Sequence, residues 1–306
     1  MIQGKKKISY CKNCISCYAV KPFKVHPVTE AIRVYMEFIM KKNHDYTVNT
    51  FPSSRQFTLD IGKMGMKKHH VKALIQVDVT QSRKKIRQIR KEKGNVLSFT
   101  SWLLTCIGRA VEEQPGVHAL RKGRNRLVIF RDIDISTMVE KQVGEFPVPI
   151  PLVIRKVNTK DVTEIYEEIE DAKREQLKEG SDFVLGKDKK NDPARIFAVL
   201  PQCVRLLAWK LLLSNPVRVK KMMGTVMVTS VGMMGKASGW IIPYSIHPVC
   251  LAIGSIETMP GVDGDAIDVR EYLDITILMD HDVIDGAPAA RFVSRLSELI
   301  EGGYSL

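Results

Sequence analysis

Cysteine is scarce. Six cysteines in 306 residues are too few to staple a small secreted scaffold. No apolar h-region follows the opening residues MIQGKKKISYCKNC, so they do not read as a secretory signal. Long hydrophobic runs are missing too. The most apolar stretch, Phe197 to Leu213, is interrupted by Pro201, Gln202, Arg205 and Lys210, which makes it a poor membrane span. These absences lead us to expect a reducing, cytoplasmic setting and no membrane span. Aromatic residues make up 7%. With no aromatic-interleaved basic motif and no helix-turn-helix, nucleic acid is not the expected partner. Internal repeats and low-complexity tracts are absent.

What is present is enough apolar side chain for a real core: 44% hydrophobic against 26% charged residues. The formal charge is +13, which attracts polyanions of some kind without choosing among them. A boundary is expected near residue 50. Residues 1–50 form an N-terminal extension holding three of the six cysteines and a helix over Val28–Lys41. Residues 51–306 form the main domain, with helices and strands alternating. Strands are expected over His70–Thr80, in two parts of Arg126–Glu140, over Thr225–Gly232, over Val249–Glu257 and over Tyr272–His281. Helices are expected over Gln81–Glu92, from Ser98 or Thr100 to Gln114, over Thr159–Gly180, over Ala194–Leu213, and from Asp285 to Gly302. Asp263-Gly264 is a hairpin signal. The mixture is α/β or α+β, a mixed sheet flanked by helices.

Cys11, Cys14 and Cys17 have metal-ligand spacing. With His26 or a cysteine from another chain they would complete a zinc site or seat an iron–sulfur cluster. A fourth nearby cysteine is missing, so a free or coincidental cluster is the other reading. Cys106, Cys203 and Cys250 fall in core-like segments and read as small hydrophobes. His69-His70 at a strand start reads as surface.

His281 is the candidate for chemistry. It has the parity of Leu273, Ile275, Ile277 and Met279, so it is expected to point into packed protein at a strand end. An imidazole kept neutral there is a base. From the pattern alone, a hydrogen-bonded core histidine is the commoner reading. Asp285 before Gly286-Ala287-Pro288 is a helix N-cap candidate.

The run DHDVIDGAPAARF, from Asp280 to Phe292, resembles the H-x-x-x-D-G signature and trailing helix of the dihydrolipoamide acyltransferases of 2-oxoacid dehydrogenase complexes. GTVMVTSVGM, from Gly224 to Met233, is similar to that family's G-T-F-T strand, and Thr229 lies 52 positions before His281. Leu152 to Arg155 and Val77 to Thr80 add shorter likenesses. The resemblance covers roughly residues 55 to 306 and implies a chloramphenicol acetyltransferase-like, trimer-forming fold. It also implies transfer of an acyl group between coenzyme A and a lipoyl thiol or other acceptor. His281 is then the general base, Thr229 the hydroxyl donating to the oxyanion, and Asp285 a structural residue paired with an arginine. Arg55 is the candidate partner and Gly286 supports the turn.

The same resemblance implies that His281 and Thr229 meet across a subunit interface in a homotrimer or a multiple of trimers. No lipoyl domain is recognised in the sequence, so a lipoyl group is expected on a separate protein. Asp282 stands where complex members usually carry a basic residue, and Thr229 where many carry serine. The alternative is a trimeric binding or scaffold protein of the same fold that lost the chemistry. Intact His281, Thr229 and Asp285 argue against it.

Overall fold

A computed structural model describes residues 46–48, 51, 55–143, 146–174, 197, 200–230 and 238–306, without the side chains of 141–143, 146–148 and 263. The cysteine cluster and the helix expected over Val28–Lys41 lie outside the described residues.

The described part of Phe51–Leu306 is organised around one six-stranded mixed sheet. Its strands are β1 (His70–Asp78), β4 (Ile135–Val143), β5 (Phe146–Ile154), β6 (Val226–Ser230), β7 (Val249–Asp263) and β8 (Ala266–Asp280). Their order is β1-β8-β7-β6-β4-β5. The β4–β6 and β6–β7 pairs are parallel; the others are antiparallel. A separate two-stranded ribbon joins β2 (Leu120–Lys122) to β3 (Arg126–Val128).

Seven helices are described: α1 (Arg55–Gly65), α2 (Thr80–Lys93), α3 (Phe99–Glu113), α4 (Val162–Arg174), α5 (Gln202–Leu213), α6 (Pro216–Met223) and α7 (Gly286–Glu301). The core forms where the apolar stripes of α3 and α7 meet the alternating face of the sheet. Trp102, Ile107, Phe292, Leu296 and Ile300 pack there with Ile135, Leu251, Leu273, Ile275 and Ile277. The indole N–H of Trp102 donates to Tyr304 O at 2.9 Å, so its polar edge is satisfied inside the core.

Local chemistry explains the boundaries. Ser98 starts α3 with a capping box, its hydroxyl accepting from Ser101 N while Ser101 Oγ accepts from Ser98 N. The β7–β8 turn passes through Gly264 at φ 61, as Asp263-Gly264 predicts. Gly224 ends α6 at φ 72, and a Cβ there would lie 2.5 Å from Asp134 O, so only glycine fits before β6.

Several expectations are corrected. Within the span expected as one helix over Ala194–Leu213, Pro201 is the N-cap of a helix over Gln202–Leu213, with Phe197 helical before the break; residues 194–196, 198 and 199 lie outside the described residues. Proline lacks the N–H that an interior position must donate, so it stands before the first turn. The α4 helix starts later than expected, at Val162 after a 3-10 turn over Val157–Thr159, and the expected end beyond Arg174 lies outside the described residues. Cys203 is exposed rather than packed, whereas Cys106 and Cys250 are buried. The last strand stops at Asp280, one residue before the candidate histidine.

Two substitutions test this packing. Phe292→Ala should cost about 3–5 kcal/mol, because a fully buried ring leaves a cavity that the sheet cannot close. Gly224→Ala should cost more than about 1 kcal/mol through its positive φ and the clash with Asp134 O. Denaturant unfolding of both variants measures these losses.

Candidate active site

His281 occupies a turn, not a strand. The turn is closed by Val283 N and Ile284 N donating to Asp280 O at 3.0 and 3.2 Å. In the single chain the His281 side chain is exposed, contrary to the packed position its parity predicts. The ladder ends with Asp280 opposite His70, so the parity of the strand does not carry on to the next residue.

The turn is fastened by the two residues that lead into β1. His281 N donates to His69 O at 3.0 Å. Lys68 Nζ pairs with Asp280 Oδ2 at 2.5 Å, the carboxylate being 1% exposed. His69 Nδ1 lies 2.9 Å from Asp282 Oδ1. Behind them His70 Nε2–H donates to His247 O at 2.9 Å, and His247 Nε2–H donates to Met223 O at 3.0 Å. A buried carboxylate beside the candidate base is therefore compensated by a lysine rather than left as a bare charge.

Three of these histidines are perturbed in different directions. The hydrogen bond to Asp282 raises the pKa of His69, and the same bond lowers that of Asp282. Burial lowers His70 below its ordinary value. Burial pulls His247 down to about 4, so it is neutral in the fold. The His69-His70 doublet thus divides: His69 is at the surface, as its position suggests, while His70 is half-buried and bonded inward. Sequence reasoning missed Lys68, His70 and His247. The only local signal is the doublet itself, since nothing in the chain order places His247 beside it.

Thr229 stands on β6, half-buried, on the sheet face opposite that of Val226 and Val228. It is in register with Ala252, and Ala252 with Thr276. His281 lies five residues beyond Thr276 and two strands away from Thr229. At the usual strand spacing and rise, their Cα atoms are roughly 15–20 Å apart. A base and an oxyanion donor must both reach within about 3 Å of the reacting atoms, so one chain does not bring these two together.

Asp285 holds the N-cap position of α7 in extended backbone, but its side chain makes no capping hydrogen bond. It is exposed, as is Arg55 at the start of α1. Among the described residues no hydrogen bond or ion pair joins the two. Gly286 opens the helix with open space around it. Cys11, Cys14 and Cys17 are outside the described residues. Among the described residues no cluster of three or more His, Cys, Asp or Glu could hold a metal ion. No described helix is long and apolar enough to cross a membrane.

Residues 65–181 and 214–306 match the family model of the 2-oxoacid dehydrogenases acyltransferase (catalytic domain). The chain belongs to that family. Both Thr229 and the His281 turn lie inside the matched residues. Among curated relatives, it is 27% identical over 243 residues to the dihydrolipoyllysine-residue succinyltransferase component of the 2-oxoglutarate dehydrogenase complex of Staphylococcus epidermidis, covering 76% of this chain and 47% of that protein. It is 35% identical over 77 residues to the acetyltransferase component of the pyruvate dehydrogenase complex of Acholeplasma laidlawii, covering 25% of this chain and 14% of that one. Even in the longer of these matches, the chain spans about half the relative's length.

Two solved structures share the fold. The dihydrolipoamide acetyltransferase of Azotobacter vinelandii superposes with a TM-score of 0.58 at 18% identity, covering 92% of this chain and 97% of that one. A truncated catalytic core of the 2-oxoacid dehydrogenase multienzyme complex of Thermoplasma acidophilum gives 0.57 at 18% identity, covering 85% and 100%.

The buried histidines set a pH dependence. A histidine held neutral in the fold is protonated more readily once unfolded. The unfolded state therefore binds more protons between pH 6.5 and about 4, and stability falls as pH falls through that window. His118, also pulled down to about 4 by burial, acts in the same direction. His247→Gln keeps an N–H donor for Met223 O. It should flatten the loss between pH 6.5 and 4 in denaturant unfolding curves.

Proposed function

We propose that the chain is a coenzyme A-dependent acyltransferase that moves an acyl group between coenzyme A and a lipoyl thiol or related acceptor. The observation that carries this reading is the DHDVIDGAPAARF run on the β8–α7 turn, inside the matched family region. A second feature supports the residue roles. In the Azotobacter vinelandii enzyme, a serine, a histidine and an asparagine investigated for the catalytic mechanism are spaced 52 and 4 positions apart. Thr229, His281 and Asp285 have the same spacings, 281 − 229 = 52 and 285 − 281 = 4. The hydroxyl and the imidazole are kept; the third position is a carboxylate here.

The step balances without a covalent enzyme intermediate. The acceptor S–H gives its proton to the neutral imidazole of His281, and the thiolate attacks the thioester carbonyl carbon. A C–S bond forms while the carbonyl oxygen takes the negative charge, and the Thr229 hydroxyl donates to that oxygen. Collapse expels the thiolate of coenzyme A, which takes the proton back from His281. Proton exchange between a thiol and an imidazole is an ordinary general-base step near neutral pH. Asp285 and Gly286 shape the start of α7 behind the histidine turn, and Arg55 remains the candidate partner for Asp285 in the assembled protein.

Because Thr229 and His281 are too far apart in one chain, the reading requires that one copy supplies the imidazole and its neighbour the hydroxyl. A homotrimer, alone or in multiples, gives three such sites per trimer. The lipoyl group arrives on a separate domain or protein.

His281→Ala should lower acyl transfer at least about a hundredfold, and Thr229→Ala by about a hundred- to a thousandfold, with oligomer size unchanged in sedimentation. Undiminished turnover in the histidine variant overturns the mechanism. Trimers assembled from a mixture of the two variants should regain activity, because one interface then joins an intact His281 to an intact Thr229. Mixed trimers that stay inactive would overturn the shared site.

A further inference from the structure

The β2–β3 ribbon stands apart from the main sheet and carries Arg121, Lys122, Arg124 and Arg126 within six residues. No Asp or Glu occurs between Glu113 and Asp132. All four cations are exposed, and none makes an ion pair among the described residues. Among the described residues Arg121 hydrogen-bonds only back to the turn, to Gly123 O and Arg124 O. By contrast, basic α2 places Arg83 and Arg87 on Glu271. Lys122 and Arg126 are direct cross-strand partners in the ribbon, and like charges in that register repel. The ribbon thus retains an internal repulsion with no anion of its own, and the nearby acidic group its cations act on is Asp282 of the histidine turn, whose carboxyl Arg121 helps the His69 hydrogen bond to hold down.

Its place in the fold is equally specific. Leu120 is buried at its root, and just before it the His118 Nδ1 lies 2.8 Å from Thr225 Oγ1. Thr225 precedes β6 at the sheet end where Val226, Val249 and Met279 are in register. Asp280 N donates to Pro248 O at that same end, and His281 follows. The ribbon root and the histidine turn are therefore separated by about two strand spacings, roughly 10 Å. Leu127 and Ile129 are each 51% exposed beside the cations. A protruding ribbon with cations and apolar side chains suits a broad acidic protein surface; a single phosphate is better held in a concave cradle of donors.

We propose that the β2–β3 ribbon is the docking surface for an acidic protein domain that carries the acyl acceptor to His281. The proposal rests on the acyl-transfer reading for the purpose of docking, but the surface is testable without turnover. Long-range attraction would speed encounter and orient the carrier over the histidine turn, an effect that salt screens.

The test uses a lipoylated lipoyl domain of net negative charge as probe and the variant Arg121→Ser/Lys122→Ser/Arg124→Ser/Arg126→Ser. Calorimetric titration at low and high salt should show at least tenfold weaker binding and a shallower salt dependence in the variant. The ratio of kcat/KM for the lipoyl domain to that for free dihydrolipoamide should fall at least tenfold. Lys122→Ser and Arg126→Ser, each relieving the cross-strand repulsion, serve singly if the fourfold variant does not fold, with the same direction of change. An unchanged affinity and ratio would overturn the docking surface. So would a rise in KM for acyl-coenzyme A with no change toward the domain, which would assign the cations to phosphate instead. Wild-type protein that binds the domain yet transfers no acyl group to either acceptor would sink the acyl-transfer reading and leave the docking surface standing.

Discussion

The ion pair between Lys68 and Asp280 is the contact on which the candidate site depends. Asp280 is almost fully buried at the last rung of β8, and a buried carboxylate without a partner would cost several kcal/mol. Lys68 reaches it from the segment that becomes β1, and the neighbouring His69 O takes the backbone N–H of His281. Position 281 is thus set by a strand that is distant in sequence but adjacent in the sheet. Removing the lysine would leave a buried negative charge next to the proposed base, so fold and chemistry are coupled at this one place.

The sheet imposes the second constraint. Parallel β6 and β7 and antiparallel β8 fix Thr229, Ala252 and Thr276 in one row, with the histidine turn several residues beyond it. Backbone ladders do not stretch, so no side-chain rotamer closes a gap of this size. If both residues act on one acyl group, the quaternary structure must supply the closure. The rigidity that keeps each residue in place is what makes a single chain incomplete.

Charge is distributed with the same economy. The chain is +13 overall, yet many of its described cations are engaged: Arg295 and Arg109 on Glu113, Arg155 and Lys220 on Asp134. The excess is therefore informative only where it is unpaired and local. Net charge alone does not separate a generally basic surface from a recognition surface. Register does, because it shows which like charges the fold holds together.

Much of the architecture was legible from residue pattern. The hairpin at Asp263-Gly264, the buried stripe of Val162, Ile165 and Ile169, and the apolar faces of α3 and α7 follow from periodicity and turn chemistry. The motif from Asp280 to Phe292 and the spacing from Thr229 named the candidate residues. Pattern failed where long-range geometry decides. It carried the last strand one residue too far, so that His281 was read as inward-facing, because alternation says nothing about where a ladder loses its partner. It read His70 as surface and did not see Lys68 or His247, whose environments are made by segments more than 170 positions away in the chain. By itself, then, the sequence determined the element types, the core faces and the family signature, since these depend on neighbours within one helix turn or one strand pleat. Only the tertiary structure decided which charges are compensated, which way the histidine turn faces and how far it lies from Thr229, because those depend on strand order and register.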